Sequence, residues 1–190
     1  FAALPTGERV LASLFQAVTP RTAGYNTADL TKMGDTSQAV TILLMLTGGA
    51  PGSTAGGMKV TTLAVLAANA AAVFHRREEP QLFGRRLEDS AVKNAAAILL
   101  LYLGLTFAGA AVISAAEGLP LGVCLYETAS AAGTVGLTLG LTPQLGTLSQ
   151  GILILLMFFG RVGGLTLIYA AFSGHDLTCT RCPKEKITVG

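Results

Sequence analysis

Residues 47–62, TGGAPGSTAGGMKVTT, form a segment rich in glycine and small polar residues between two of the most apolar stretches of the chain. A cluster of glycine, proline, serine and threonine favours loops and interrupts helices. The surrounding apolar region covers residues 38–74, whereas one crossing of a bilayer needs only about 20 residues. The pattern therefore predicts an apolar helix that is broken near its middle by a polar loop.

The same segment has some likeness to a phosphate-binding loop. That motif requires a lysine directly after its last glycine and then a serine or threonine, and it opens a helix in a soluble strand–loop–helix unit. Here Met58 separates Gly57 from Lys59, and Val60 stands at the hydroxyl position. A nucleotide- or phosphate-handling membrane enzyme that uses residues 52–59 is therefore kept only as the alternative function.

The composition is that of a membrane protein. Hydrophobic residues make up 51% of the chain and charged residues 13%, against about 25% charged residues in soluble domains. Residues 94–116 form an uncharged apolar run that is long enough to cross a hydrocarbon core of about 30 Å. The net charge of +2 gives no sign of nucleic-acid binding. We therefore predict an all-α integral membrane protein that is embedded in the lipid bilayer.

Basic residues predict the orientation of the chain. Arg and Lys cluster in residues 76–93 and in residues 173–190, and the positive-inside rule places both segments on the cytoplasmic side. The chain must then cross outward from residue 94 and return over residues 146–172. The apolar part of residues 121–143 is too short to span, which predicts a re-entrant helix followed by an extended segment that lines a pore.

The chain also contains an internal repeat. A shift of 112 positions aligns residues 14–52 with residues 126–164 without a gap. The identical pairs include Thr22/Thr134, Gly24/Gly136, Gly34/Gly146, Gln38/Gln150, Met45/Met157, Gly48/Gly160 and Gly52/Gly164. Similarity at a fixed spacing indicates duplicated structural units, and such units can surround a transport path. Each predicted unit is an outer helix, a re-entrant pore helix, an extended segment and an inner helix.

Four ordered motifs resemble those of a known family. They are TAGYNT (residues 22–27), GGAPGSTAGGMKVTT (48–62), GTVGLTLGLTP (133–143) and MFFGRVGGLTL (157–167). Together they are similar to the Trk/Ktr/HKT superfamily of potassium transporters, and most of all to the membrane subunit of bacterial Ktr-type systems. The C-terminal CPKEKITVG is also similar to the ending of that family, whereas the pair Cys179 and Cys182 departs from its pattern.

The resemblance implies that the chain holds the C-terminal half of a four-repeat, potassium-channel-like fold. Residues 1–75 would be the third repeat without its outer helix, and residues 94–172 would be the complete fourth repeat. Residues 76–93 would form a cytoplasmic basic loop between them, and residues 173–190 a cytoplasmic tail.

The two T-x-G motifs are the candidate selectivity filter. Removing water from K⁺ requires replacement oxygens, which filters supply as rings of backbone carbonyls. A glycine in each extended segment gives access to backbone angles that turn carbonyls towards an axis. The predicted K⁺ ligands are the backbone carbonyls of Thr22, Ala23, Gly24, Tyr25, Thr134, Val135, Gly136 and Leu137. In the family, glycine in this motif goes with K⁺ selectivity and serine in one repeat with Na⁺ permeation.

The polar loop is the candidate gate. Small residues placed just below a filter can move easily and block the path; the resemblance implies this role, and a passive kink is the alternative. The predicted gate residues are Gly48, Gly49, Ala50, Pro51, Gly52, Ser53, Thr54, Ala55, Gly56, Gly57, Lys59 and Arg161.

Arg161 belongs to this set because it stands deep in an apolar helix, where a charged side chain costs about 2.5–3.5 kcal/mol. We therefore expect Arg161 to face the bundle interior and to pair with backbone carbonyls or an acid. The 112-residue shift matches it to Gly49 at the start of the loop, which favours a contact with loop carbonyls. An arginine that snorkels to the cytoplasmic interface is the alternative.

These features predict a multi-pass K⁺ uptake protein of the bacterial inner (plasma) membrane that performs no covalent chemistry. K⁺ is the expected transported ion, no cofactor is expected in the chain, and Na⁺-dependent uptake is compatible with the residues. The resemblance implies a homodimer seated on a cytosolic nucleotide-binding regulatory ring. Two roles stay open: Lys59 either acts on the loop or starts a helix, and Glu127 is either a buried hydrogen-bonding group or an outer cation-attracting site.

Overall fold

The computed structural model describes residues 4–77 and 79–163, and these residues are mostly helical. The α-helices are α1 (Thr6–Val18), α2 (Asp35–Leu46), α3 (Val60–Phe74), α4 (Asp89–Glu117), α5 (Leu121–Ala132) and α6 (Thr147–Val162). Short 3₁₀ turns lie at Leu30–Lys32 and Thr142–Gln144. An antiparallel hairpin pairs β1 (Gln81–Leu82) with β2 (Arg85–Arg86), with Gln81 opposite Arg86. Apart from this hairpin, the described chain has the predicted helical character.

Helix α4 is the one helix of the described residues that is long and apolar enough to cross a bilayer. Its 29 residues extend about 43 Å at 1.5 Å per residue. Gly118 ends the helix with a left-handed φ of 68°, a conformation that glycine adopts without the steric cost that a Cβ adds. Helices α2, α3 and α6 are apolar but shorter.

Helix α4 begins before residue 94, where the crossing was predicted to start. Its first residue is Asp89, so residues 89–93 of the predicted basic loop are helical. An acidic side chain is favourable in the first turn of a helix, where backbone N–H groups lack partners, and Asp89 lies in that turn. The rest of the predicted loop contains the hairpin, and Arg86 of its second strand forms an ion pair with Glu79.

The predicted break in the long apolar helix is present. Helix α2 ends at Leu46 and helix α3 begins at Val60. Residues 47–59, which we call the polar loop, connect the two helices and contain no helix of their own. The glycine- and proline-rich composition of the segment therefore does interrupt the helix at the expected place.

The internal repeat is visible in the backbone as well as in the sequence. The two 3₁₀ turns start at Leu30 and Thr142, and α2 and α6 start at Asp35 and Thr147; both pairs are 112 positions apart. A side-chain hydrogen bond repeats at the same spacing. Gln38 Nε2 donates to the carbonyl of Met33 at 3.0 Å, and Gln150 Nε2 donates to the carbonyl of Leu145 at 3.1 Å. The two units therefore share local structure between the extended segment and the helix that follows it.

Helix α5 occupies the centre of the described fold. It packs against α2, α4 and α6, and residues 126–132 are all buried. Tyr102 of α4, Met45 of α2 and Tyr126 of α5 belong to one core cluster, while Ile113 of α4 and Leu153 of α6 belong to a second. Helix α5 thus joins the two clusters and supports the segment that follows it.

Helix α1 is peripheral by comparison. Its side chains Val10, Leu11 and Leu14 are exposed. Within residues 4–77 no helix is as long as α4.

Some predictions lie outside the described residues. They are the end of the return crossing, residues 164–172, and the tail, residues 173–190, with Cys179 and Cys182. The predicted division of the chain into repeats stays a prediction.

Candidate functional site

The two T-x-G motifs share an unusual backbone. Thr22 and Gly24 have φ values of 62° and 72°, and Thr134 and Gly136 have φ values of 53° and 89°. Left-handed φ is rare for residues other than glycine and is worth noting for a threonine. The two segments therefore share left-handed φ at the same two positions, 112 residues apart. A left-handed residue at every second position changes the direction of the carbonyls along each segment.

The two segments lie beside each other. A Cβ placed on Gly24 would overlap the carbonyl oxygen of Val135, so glycine is required for this approach as well as for its positive φ. In the second segment, Val135 and Leu137 are 5% and 2% exposed and pack into the core. Their buried side chains anchor the segment, which leaves its backbone as the polar surface.

The first segment is anchored differently. The hydroxyl of Thr19, at the end of α1, donates to the carbonyl of Tyr25 at 2.6 Å. Thr19 is buried, whereas the side chain of Tyr25 is 72% exposed. The first segment is therefore attached to α1 through one threonine, and its Tyr25 side chain is more exposed than Val135 and Leu137 of the second segment.

Glu127 of α5 lies behind the second segment. Its carboxyl oxygens accept hydrogen bonds from the hydroxyl of Thr138 at 2.7 Å, the backbone N–H of Leu139 at 2.9 Å and the hydroxyl of Thr142 at 2.7 Å. Glu127 is 3% exposed. Of the two roles left open for this residue, the structure shows the buried hydrogen-bonding group.

An acidic side chain also lies on the exposed stretch after the first segment. Asp29 Oδ1 accepts from the hydroxyl of Thr31 at 2.6 Å and from its backbone N–H at 3.1 Å, and Oδ2 is 3.2 Å from the ammonium of Lys32. The hydrogen bonds from Thr31, followed by that from Lys32, hold the pKa of Asp29 below its ordinary value. Because a carboxylate and an ammonium face each other here, this stretch has little net charge.

The polar loop has tightly bonded ends. Gly48 N–H donates to the carbonyl of Met58 at 2.6 Å, Met58 N–H donates to Leu46 at 3.2 Å, and Val60 N–H donates to Gly49 at 3.1 Å. Thr47 and Met58 form an isolated parallel bridge. The two ends of the loop are therefore bonded to each other, whereas its middle, residues 50–54, is exposed.

The loop contacts the second T-x-G motif directly. Gly56 N–H donates to the hydroxyl oxygen of Thr134 at 3.1 Å, and a Cβ on Gly56 would overlap the Thr134 side chain. Gly57 N–H reaches the carbonyl of Gly160 on α6 at 3.4 Å. Gly56 and Gly57 are buried. The loop is thus held between the second extended segment and α6.

Lys59 lies at the end of the polar loop and at the start of α3. It precedes α3 as the N-cap residue, and its ammonium donates to the carbonyls of Ala55 at 2.6 Å and Ser53 at 3.3 Å. A cation that binds two carbonyls of one short loop stabilises the folded form of that loop.

Arg161 contacts the loop from α6. Its Nη1 donates to the backbone carbonyl of Thr54. The expected pairing with a loop carbonyl is therefore present, although the Arg161 side chain is exposed in this chain rather than enclosed by it. Thr54 and Arg161 are 107 positions apart, so this contact attaches the middle of the loop to the second unit.

Sequence reasoning missed Tyr102, Gly160 and the partners of Glu127. The hydroxyl of Tyr102 lies 3.4 Å from the carbonyl of Gly160, and a Cβ on Gly160 would overlap the carbonyl of Ala132. Gly160 is the repeat counterpart of Gly48, which is a signal that could have identified it. Among the described residues, no cluster of three or more His, Cys, Asp or Glu side chains could hold a metal ion.

Comparison with known proteins identifies the family. The profile of TrkH, described as "Cation transport protein", matches residues 1–176. The chain is 37% identical over 183 residues to the Ktr system potassium uptake protein B of Bacillus subtilis (strain 168), covering 96% of this chain and 41% of that protein. It is 39% identical over 189 residues to the potassium/sodium uptake protein NtpJ of Enterococcus hirae, covering 96% of this chain and 42% of that protein.

A third relative matches a similar share of the chain. The Ktr system potassium uptake protein B of Vibrio alginolyticus is 33% identical over 187 residues, covering 98% of this chain and 41% of that protein. The chain therefore spans about two fifths of the length of these relatives. They are named as transport proteins and not as enzymes, so the alternative of a phosphate-handling enzyme finds no support among them. The chain belongs to the TrkH family of cation transport proteins, membrane proteins of the Trk/Ktr superfamily.

Proposed function

We propose that this chain forms half of a K⁺ uptake pathway in the bacterial inner (plasma) membrane, with residues 22–25 and 134–137 as two of four filter segments. The observation that supports this most is the left-handed backbone at Thr22 and Gly24 and again at Thr134 and Gly136. Carbonyls that replace the water around K⁺ must point to a common axis. A backbone conformation that repeats at the same two positions of both segments supports this arrangement.

The helices that precede the two segments fit the same proposal. Helices α1 and α5 have 13 and 12 residues, and about 20 residues are needed to cross the hydrocarbon core. We infer that each helix enters the membrane part of the way and that the extended segment returns to the same side. Irregular backbone at that depth is tolerated where protein or a water-filled cavity surrounds it. The close approach of Gly24 to Val135 brings two such segments together.

In this proposal the polar loop is the gate below the filter. Its hydrogen bonds run to Thr134 of the filter segment, to Gly160 and from Arg161 of α6. These bonds hold the loop across the inner side of the T-x-G motif. Opening would require breaking them, and the glycines of the loop keep the conformational cost of that movement low.

Inward K⁺ movement needs no ATP hydrolysis in this scheme. A membrane potential of about 150 mV supplies about 3.5 kcal/mol for each unit charge that enters. The positive charges of Lys59 and Arg161 lie on or against the loop, where they would oppose a cation while the loop is closed.

The choice of ion follows from the filter glycines. Both visible segments carry glycine, Gly24 and Gly136, so we infer K⁺ selectivity in this half of the ring. One relative is named as a potassium/sodium uptake protein, which is why Na⁺ has to be measured beside K⁺. Uptake coupled to Na⁺ is compatible with both the residues and that name.

We also propose partners for the complete protein. Relatives are named as proteins B and D of a Ktr system, which fits a membrane subunit that works with a cytosolic nucleotide-binding regulatory ring. The resemblance to Ktr-type systems also implies that the complete protein forms a homodimer. The exposed apolar side chains of α1, α4 and α6, such as Leu14, Leu100 and Ile154, would face lipid or other protein segments.

Uptake by the full-length protein tests the proposal. The protein is produced in cells that lack their own K⁺ uptake systems, and entry of Rb⁺, a K⁺ substitute, and of Na⁺ is measured with protein content of the membrane determined in parallel. We expect Rb⁺ entry above that of cells with the empty vector, reduced by competing K⁺. No Rb⁺ entry from a protein that reaches the membrane would contradict K⁺ uptake, and Na⁺ entry alone would change the assigned ion.

A further inference from the structure

Glu127 is a buried acidic residue in the helix behind the second filter segment. It is 3% exposed, and it accepts three hydrogen bonds from residues 138–142. A polar group of this kind is costly to bury unless its hydrogen-bonding capacity is used. Here the cost is offset by partners that all come from one short stretch of chain. All three of these hydrogen bonds therefore stabilise that stretch of chain.

The stretch that Glu127 holds follows the filter motif directly. Thr138 is two residues after Gly136, and its hydroxyl oxygen also accepts from Gly140 N–H at 3.0 Å. Gly140 has a φ of 85°, so the chain turns there. The carboxyl group thus fixes the position of the chain immediately after the motif, through two hydroxyls and one backbone N–H.

Among residues 4–75, the described part of the first unit, no buried acid corresponds to Glu127. The repeat counterpart of Glu127 is Phe15, which is 37% exposed. The first segment is attached instead by Thr19, whose hydroxyl reaches the carbonyl of Tyr25. A duplicated structure in which one unit alone carries a buried acid indicates a function specific to that unit.

We propose that Glu127 is a positioning residue for ion selectivity: it sets the register of residues 138–142 and so fixes the carbonyls of Thr134 to Leu137. This inference rests on the proposed function of those residues as a filter. Val135 and Leu137 are fixed by packing and residues 138–142 by Glu127, so the second segment is held both within its length and directly after it. Losing one attachment leaves the carbonyls free to adapt to a smaller, more strongly hydrated ion.

The test compares three substitutions in the full-length protein. Glu127→Leu removes all acceptors. Glu127→Gln keeps an oxygen for Leu139 and Thr138 and an amide that can donate to the Thr142 hydroxyl. Thr142→Val removes one donor and leaves the other two. Phe15→Leu is the matched control at the corresponding position of the first unit. The readout is the ratio of Rb⁺ to Na⁺ uptake, normalised to protein in the membrane.

We expect Glu127→Leu to lower the Rb⁺/Na⁺ ratio more than tenfold, because it removes three hydrogen bonds and the loss of one bond to a charged group corresponds to about tenfold. Thr142→Val should lower the ratio by less, while Glu127→Gln and Phe15→Leu should leave it near that of the unmodified protein. An unchanged ratio in Glu127→Leu protein that reaches the membrane would overturn the inference.

Glu127→Leu protein could fail to reach the membrane, and the test then rests on Thr142→Val. A lowered Rb⁺/Na⁺ uptake ratio in Thr142→Val protein supports the inference, and an unchanged ratio overturns it. If the unmodified protein takes up no Rb⁺, the proposed function itself has failed. The two failures are therefore distinguishable in one assay.

Discussion

Gly56 of the polar loop donates its backbone N–H to the hydroxyl of Thr134 at 3.1 Å, across 78 positions of sequence. The donor lies in the candidate gate and the acceptor in the candidate filter. A Cβ on Gly56 would overlap the Thr134 side chain, so the contact depends on glycine. The two functional parts are thus connected directly, without an intervening residue.

Gly56→Ala should raise K⁺ uptake by the full-length protein. The added methyl group cannot occupy the space beside Thr134, so the loop must move away and lose this hydrogen bond. A hydrogen bond is worth about 0.5–1.5 kcal/mol, which corresponds to about a two- to tenfold shift towards an open loop. Maximal Rb⁺ uptake per amount of membrane protein measures the effect.

The control for this substitution is Gly151→Ala. Gly151 lies in α6, and a Cβ there would meet no atom within 4 Å, so uptake should stay unchanged. Equal uptake by the Gly56→Ala and the unmodified proteins would show that the contact does not restrain the gate.

Arg161→Gln should raise maximal K⁺ uptake about tenfold with little change in selectivity. The substitution removes a positive charge beside the path and weakens the bond to the Thr54 carbonyl. Bonds to charged groups are worth about 1.5–3 kcal/mol, and the lower value applies because Arg161 is exposed; about 1.4 kcal/mol corresponds to a factor of ten. Arg161→Lys retains the charge and should have a smaller effect.

A double mutant tests whether Arg161 and the loop form one barrier. Deleting residues 50–55 removes Thr54 and the exposed middle of the loop, and should itself raise uptake. Adding Arg161→Gln to the deletion should then raise uptake by less than Arg161→Gln does alone, because the bond to Thr54 is already absent and only the charge is left to remove. Fully additive gains would show two separate barriers, and a deletion without effect would support a passive kink.

Lys59→Met should raise K⁺ uptake at least tenfold. Methionine keeps most of the side-chain volume but cannot donate to the carbonyls of Ala55 and Ser53, and the loss of one such bond, about 1.5 kcal/mol at a partly exposed site, corresponds to about tenfold. The comparison is Lys32→Met, whose ammonium contacts the exposed Asp29 and which should leave uptake unchanged. If both lysine substitutions give the same uptake, Lys59 has no specific role in the loop.

Gly136→Ser should lower the K⁺/Na⁺ uptake ratio. Gly136 has a φ of 89°, and a Cβ there would meet no atom within 4 Å, so serine fits the space but strains the backbone that orients the carbonyls. The control is Gly84→Ser in the hairpin, where φ is 74° and the space is also open. Ion ratios that are equal in both variants and in the unmodified protein would exclude Gly136 from the filter.

Several features could be predicted from the sequence because each depends on local composition. The polar loop interrupts the helix where glycine and proline cluster, and α4 covers the uncharged run after Lys93. The start of α4 at Asp89 was not predicted, because charged residues before an apolar run are typical of both a loop and the first turn of a helix. The duplicated positive φ values follow a pattern of identical residues 112 positions apart.

The sequence by itself determined the membrane character, the repeat, the helix break and the T-x-G and loop motifs, since hydrophobicity and glycine content act over a few neighbouring residues. The tertiary structure alone decided that Gly56 meets Thr134, that Glu127 meets the stretch at Thr142, and that Thr54 supplies the loop carbonyl for Arg161. A hydrogen bond requires two atoms within about 3 Å, and the packing of α5 against α2, α4 and α6 brings these atoms together. No pattern in the sequence specifies such a distance.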